Sequence, residues 1–288
     1  MPAIDGLLLV DKPAGVTSHD VVAIARRALG VRRVGHGGTL DPFATGLLVL
    51  LVGRATRLLP YLEGEPKVYA ATIRWGVETD TDDGTGAVMC TAPAPERAAV
   101  ERAMVGLTGE VDQVPPTFSA KQVGGQRAHA AARRGAPLAL EAARVTVYAW
   151  TTRAWRGDAL DVTVQCSGGT YVRALARDLG RAAGSAAHLT ALRRLTSGPF
   201  DVAAACSADD LRAGAAVLLP PLAAVPSLPV VRLDAGSVRH VRQGRDVGGA
   251  GPGPGAGRAA LVDPSGALVA IAQRDGDWWH PRTVLADD

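Results

Sequence analysis

Between Gly35 and Pro42 the chain reads GHGGTLDP, placing one imidazole and one carboxylate among three glycines just ahead of the apolar run LLVLLV at 47–52. Acid–base and nucleophilic chemistry use such side chains. Plain loop-making uses the same residues, with the glycines forming a turn and Asp41 capping whatever follows Pro42. Spacing excludes several rival chemistries. A dinucleotide fingerprint needs a third glycine where Leu40 stands, and no GxxxxGK[ST] occurs anywhere. The acidic run Asp80, Asp82, Asp83 before Gly84 lacks the ligand spacing of an EF-hand. Cys90, Cys166 and Cys206 are far apart with no CxxC, and the six histidines contain no HExxH pair, so neither a metal site nor a disulfide framework is expected.

The elements that must hold this loop can be read from periodicity. GLLLV at 6–10 is a short buried-strand candidate ended by the turn-former DKPAG. Ser18 is placed to cap a helix carrying Val21, Val22, Ala25 and Leu29 on one face, with Gly30 as its stop. LLVLLVG at 47–53 is short enough to favour a strand over a buried helix. KVYAATIRWGVET alternates like a strand, and Pro95–Leu107 has the features of a helix. VTVYAWTTRAW and ALDVTVQC flank Arg156-Gly157-Asp158 as an antiparallel hairpin, and helices are expected at 171–183 and 186–195. Hairpins in place of regular βαβ repeats argue for an α+β fold around a mixed, largely antiparallel sheet.

The basic, glycine-containing segment 117–140 reads as an excursion from the core. Prolines at 220–229 suggest a linker, followed by strand candidates at 229–233, 259–263 and 267–273, the last two joined by a Pro264-Ser265-Gly266 turn. The expected organisation is therefore a large domain over 1–225, with 117–140 as an insertion, and a small β-rich domain over 226–288. GGAGPGPGAG at 248–257 cannot pack a core and is expected to be a mobile loop.

With 288 residues and 47% hydrophobic content the chain can bury a sizeable core. It has no membrane-length apolar run, and its first residues lack the basic start of a signal peptide, which favours the cytoplasm. The formal charge is only +3, but Lys12, Lys67 and Lys121 are the only lysines. Arginines concentrate at 127–144, four against Glu141, and at 173–194, five against Asp178. Arginine's planar fork suits phosphate, although such clusters are also ordinary solvated helix faces.

Five segments in one order break the tie between loop-making and chemistry: DKPAGVTS at 11–18, GHGGTLDPFATGLL at 35–48, KVYAATIRWGVETDTDD at 67–83, PPTFSAKQVGGQRAHAAARRG at 115–135 and CSGGTYVRALARDLG at 166–180. Over roughly 6–200 the chain resembles the TruB family, the bacterial tRNA pseudouridine-55 synthases. The resemblance is weaker past 225, where such enzymes carry a PUA-type RNA-binding domain. It implies a cofactor-independent isomerase that flips uridine 55 out of the T-loop of tRNA. A monomer is expected, since a compact enzyme with an RNA-facing surface needs no partner chain. The resemblance assigns the essential carboxylate to Asp41, its partner cation to Arg173, and the tyrosine lying against the uracil to Tyr69. Tyr171 and Leu192 match positions lining the base pocket. His36 matches the histidine that inserts near the displaced base. Lys12 matches an element that orders the catalytic loop or contacts RNA. Lys121, Arg127, Arg133 and Arg134 lie on the insertion that closes over the T arm, where they would meet phosphate. Phe118 and His129 stand where relatives often have tyrosine, and Arg57 where lysine is common. Two other accounts share these residues: an RNA-folding module without catalysis, and a synthase acting on a different RNA.

Overall fold

The computed structural model describes residues 4–62, 64, 66–249 and 257–285. The chain forms two compact units, one of Met1–Pro42, Gly46–Gly64 and Pro199–Asp288, the other of Phe43–Thr45 and Glu65–Gly198. In chain order the first elements are β1 (Gly6–Lys12), α1 (Ser18–Leu29), β2 (Val34–His36), β3 (Thr45–Val52), β4 (Lys67–Trp75), β5 (Val77–Thr79) and β6 (Val88–Thr91). There follow α2 (Arg97–Gly106), β7 (Gly109–Gln113), β8 (Gln122–Val123), β9 (Gln126–Arg127), α3 (Ala128–Arg133), β10 (Ala143–Arg156), β11 (Ala159–Cys166), α4 (Val172–Ala182) and β12 (Ala187–Ser197). The last are β13 (Phe200–Asp201), β14 (Cys206–Ser207), α5 (Ala208–Arg212), β15 (Val230–Arg232), α6 (Ala235–Arg242), β16 (Val247–Gly248), β17 (Arg258–Val262), β18 (Leu268–Asp275) and β19 (Trp278–Val284).

In the first unit β3 explains why an unbroken apolar run follows the glycine loop. It pairs antiparallel with β1, Leu8 opposite Leu50, and with β2, His36 opposite Leu50. Both faces of the strand are covered, so no position can be polar. Leu47, Val49 and Leu51 join Leu7, Leu9, Ala55 and Leu58 in one cluster. Leu48, Leu50 and Val52 join Leu8, Val10, Val21, Val22 and Ala25 in the other. Each such side chain contributes about 1.5–3 kcal/mol on burial, which anchors the loop's C-terminal end firmly. Helix α1 stops at Gly30 as expected, with φ 65° in the left-handed region. Its cap is Thr17, in a reciprocal box with Asp20, and not Ser18, whose hydroxyl is used elsewhere.

The C-terminal strands form a five-stranded sheet in the order β15-β17-β18-β19-β16, with α6 and Trp279 in its own apolar cluster. Ala260, Val262, Leu268 and Ile271 also join the cluster of Leu7 and Leu47. The 226–288 segment thus has a core of its own and shares a second with the N-terminal strands. The Pro264-Ser265-Gly266 turn is present, held by Asp263, whose carboxylate accepts from the Ser265 and Ala267 amides. Most of the expected 248–257 loop, from 250 to 256, lies outside the described residues.

In the second unit the strands run in the order β12-β4-β11-β10-β7, every pairing antiparallel. The β10–β11 hairpin turns at Gly157 as read from sequence. The expected helix at 186–195 is instead β12. Two register shifts, between Leu189 and Ala191 and between Arg194 and Thr196, break its alternation, and an interrupted period of two imitates a helical spacing. With that correction the fold is α+β with a mixed, largely antiparallel sheet, β1–β14 supplying a parallel pairing.

Candidate active site

Unit one carries Lys12, His36 and Asp41; unit two carries Tyr69, Lys121, Arg127, Tyr171, Arg173 and Leu192. In unit one the glycines of the Asp41 loop have distinct uses. Gly38 takes φ 116°, where a side chain is strained, and a Cβ on Gly37 would fall 2.1 Å from the Leu62 side chain. Half-buried Asp41 is flanked by two tethers. Ser18 Oγ donates to the Leu40 carbonyl at 3.1 Å and accepts from the Leu40 amide at 2.8 Å. Lys12 Nζ donates to the carbonyls of Pro13, Val16 and Pro42 at 2.9, 2.8 and 3.3 Å, and the Pro42 carbonyl also accepts from the Gly15 amide. Lys12 is 0% exposed, and its ammonium is turned inward onto these carbonyls. His36 is half-buried in β2.

In unit two, register places Tyr69 and Leu192 on one face. Leu192 pairs with Ala71 and Arg194 with Tyr69, so Tyr69, Ala71, Leu192 and Arg194 share a side of the β4–β12 pair. All four are buried. Tyr171 caps α4 through its backbone: its amide donates to Gln113 Oε1 at 2.8 Å, and its carbonyl accepts from Gln113 Nε2 at 3.1 Å. Arg173, 3% exposed, donates to the carbonyls of Thr81 and Phe118 at 2.6 and 3.0 Å and lies 3.6 Å from Asp83. One turn on, Arg177 pairs with Asp82 at 2.9 Å and donates to the Val114 carbonyl. One further turn on, Arg181 pairs with Glu78. Helix α4 is thus bolted to β5 and the acidic turn after it by a ladder of arginines at i, i+4, i+8. Asp82 sits in the left-handed region at φ 59°, and burial pushes its carboxyl up to about 6 despite the opposing pull of Arg177 and Arg173.

That ladder changes the reading of the 173–194 arginines. Arg173, Arg177 and Arg194 are buried, and Arg181, though exposed, is paired with Glu78, so these four do not form an open, uncompensated phosphate surface. Lys121, Arg127, Arg133 and Arg134 on the insertion are exposed as expected. The insertion folds as the β8–β9 hairpin and α3; Ala128 and Ala131 are the buried residues of α3, and a cavity of about 400 Å³ lies among Phe118, Ala132, Pro137, Asp82 and Arg177. Among the described residues no three His, Cys, Asp or Glu side chains cluster as metal ligands.

Residues 26–172 match the TruB family pseudouridylate synthase N-terminal domain, and 173–218 the tRNA pseudouridylate synthase B C-terminal domain. The chain belongs to the TruB family. It is similar to the tRNA pseudouridine synthase B of Thermobifida fusca, 47% identical with 98% of this chain and 99% of that protein covered. The Nocardia farcinica protein of the same name is 46% identical, covering 98% and 94%. Among solved structures, a chain of a Cbf5-Nop10-Gar1 complex superposes with TM-score 0.70 at 26% identity over 98% of this chain and 85% of that one. A chain from an H/ACA RNP bound to a substrate RNA containing 2'-deoxyuridine shares the fold, with TM-score 0.72 and 24% identity over the same shares. The TruB C-terminal match ends at 218, so it does not extend into the β15–β19 sheet.

Proposed function

We propose that this TruB protein isomerises uridine 55 in the T-loop of tRNA to pseudouridine, with Asp41 as the essential carboxylate. The observation that carries the reading is the nearly full-length match to tRNA pseudouridine synthase B, with Asp41 on a loop clamped on both sides by Lys12 and Ser18. The reaction breaks the N1–C1' bond, turns the uracil and joins C5 to the same sugar carbon, and the proton leaves C5 for N1. Nothing is oxidised and no group is gained, so the chemistry calls for a carboxylate and a pocket but no cofactor. Asp41 attacks C1' or removes a sugar proton beside the scissile bond. Arg173 is its partner cation, and Tyr69 lies against the uracil with Leu192 and Tyr171 lining the pocket. His36 occupies the space left by the extruded base.

Lys121, Arg127, Arg133 and Arg134 contact T-arm phosphates, which makes affinity fall with salt. The 226–288 segment is read as a PUA-like RNA-binding domain, and the protein as a cytoplasmic monomer. The test is tritium release from transcribed tRNA carrying 5-tritiated uridine, with chemical mapping of the product. Release mapped to position 55, lost in Asp41→Asn while tRNA binding persists, is the expected result. Binding without release from any RNA would leave an RNA-remodelling protein in its place.

A further inference from the structure

From Val21 to Leu40 the chain holds Arg26, Arg27, Arg32, Arg33 and one histidine, and no acidic residue. All four arginines are exposed, and none makes an ion pair among the described residues. Arg26, Arg27 and Arg32 line an open concavity of about 450 Å³ with Ala23, Gly30 and Val31, and Arg33 follows at the entrance to β2. Local structure explains only part of this. Arg26 and Arg27 sit in the last turn of α1, where the helix dipole favours cations, and Arg26 donates to the Val34 carbonyl at 3.2 Å. Arg32 and Arg33 lie beyond the Gly30 stop, where neither the helix end nor a carboxylate calls for them.

We infer that this four-arginine patch is a phosphodiester-binding surface that grips the backbone of the same tRNA whose base is handled beside His36. The inference rests on the tRNA reading above. Three features favour nucleic acid. The charge is uncompensated and carried by arginine, whose fork takes two phosphate oxygens at once. The concavity is open, which suits a passing chain better than an enclosed small ligand. Strand β2 runs from the patch directly to His36, so at about 3.3 Å per residue Arg33 stands roughly 10 Å from that histidine. RNA engaged at His36 therefore passes within reach of the guanidinium groups.

The experiment compares wild type, Arg32→Gln/Arg33→Gln and Arg32→Lys/Arg33→Lys in tRNA binding across a salt series, with tritium release at saturating tRNA alongside. Loss of two phosphate contacts lowers the slope of log K against log salt by about 1.4–1.8 and raises Kd roughly tenfold at moderate salt in the glutamine variant. The lysine variant keeps most of the slope, because a point charge still releases counterions, and saturating turnover stays within about twofold in both. An unchanged Kd and slope in the glutamine variant overturns the proposal, as does lowered saturating turnover at unchanged Kd, which would mark a structural role for the loop. Absence of release from wild type would undo the uridine-55 reading and leave the binding comparison standing on its own.

Discussion

The Asp41 loop and the α4 ladder are both rigid, but different physics holds them. The loop is fixed by a hydroxyl, backbone groups and one buried ammonium aimed at carbonyls. The ladder is fixed by guanidinium–carboxylate pairs, of which Arg177–Asp82 is buried and Arg181–Glu78 reaches solvent. Tethers of this kind set a position without placing further carboxylates beside Asp41. Ion pairs hold harder when buried, and they make their half of the protein sensitive to protons.

The largest effect should come from opening the ladder. Asp82→Ala removes the buried carboxylate from Arg177 and leaves it the more open Asp178, and a cost of about 3 kcal/mol in chemical unfolding is expected. Lys12→Met takes the ammonium from three carbonyls, of which Pro42 keeps the Gly15 amide; about 1–3 kcal/mol and a large fall in turnover are expected, with Kd for tRNA little changed. Equal loss of turnover and of tRNA affinity would show that Lys12 serves binding and not the loop.

A pH series sharpens the contrast. The folded Asp82 carboxyl titrates at about 6 against 3.8 for the ordinary group, so between those values the folded state holds the extra proton. Stability from this group is therefore greatest at low pH and is lost as pH rises through about 6. Wild type should gain on Asp82→Asn by of order 2 kcal/mol as pH falls from 7 to 4. Ser18→Ala, measured in the same way, should cost about 1–2 kcal/mol with no slope across that range, since neither a hydroxyl nor an amide titrates there. The smallest effect belongs to Arg144→Gln: its pairs with Glu110 and Asp112 are exposed on both sides, and less than about 0.5 kcal/mol is expected in the same unfolding assay.

The same contrast governs what could be read from residues alone. The strands around LLVLLV, the 145–166 hairpin and α4 were legible because burial on both faces, a glycine turn and a 3.6 period each leave a local mark. β12 was not, because two bulges erase its alternation. Asp41 and Tyr69 enter the reading through the motifs that hold them, not through any local period. Ser18 was assigned to a cap, a local role, while its bond to Leu40 spans 22 residues and has no local signature. Gln113, Asp82 and Arg177 went unread for the same reason, although arginines four apart on a helix and an acidic turn elsewhere were both in view. Complementary spacing in two distant segments is the signal that would have found the ladder.

The burial of Lys12 has a practical consequence. Of three lysines, this one is sealed inside the protein, Lys67 is half-covered, and Lys121 projects from the insertion. Among the side chains an amine-reactive dye should therefore favour Lys121 and, once the α-amine is blocked, give an optical reporter of the insertion in a chain whose other cations are nearly all arginine.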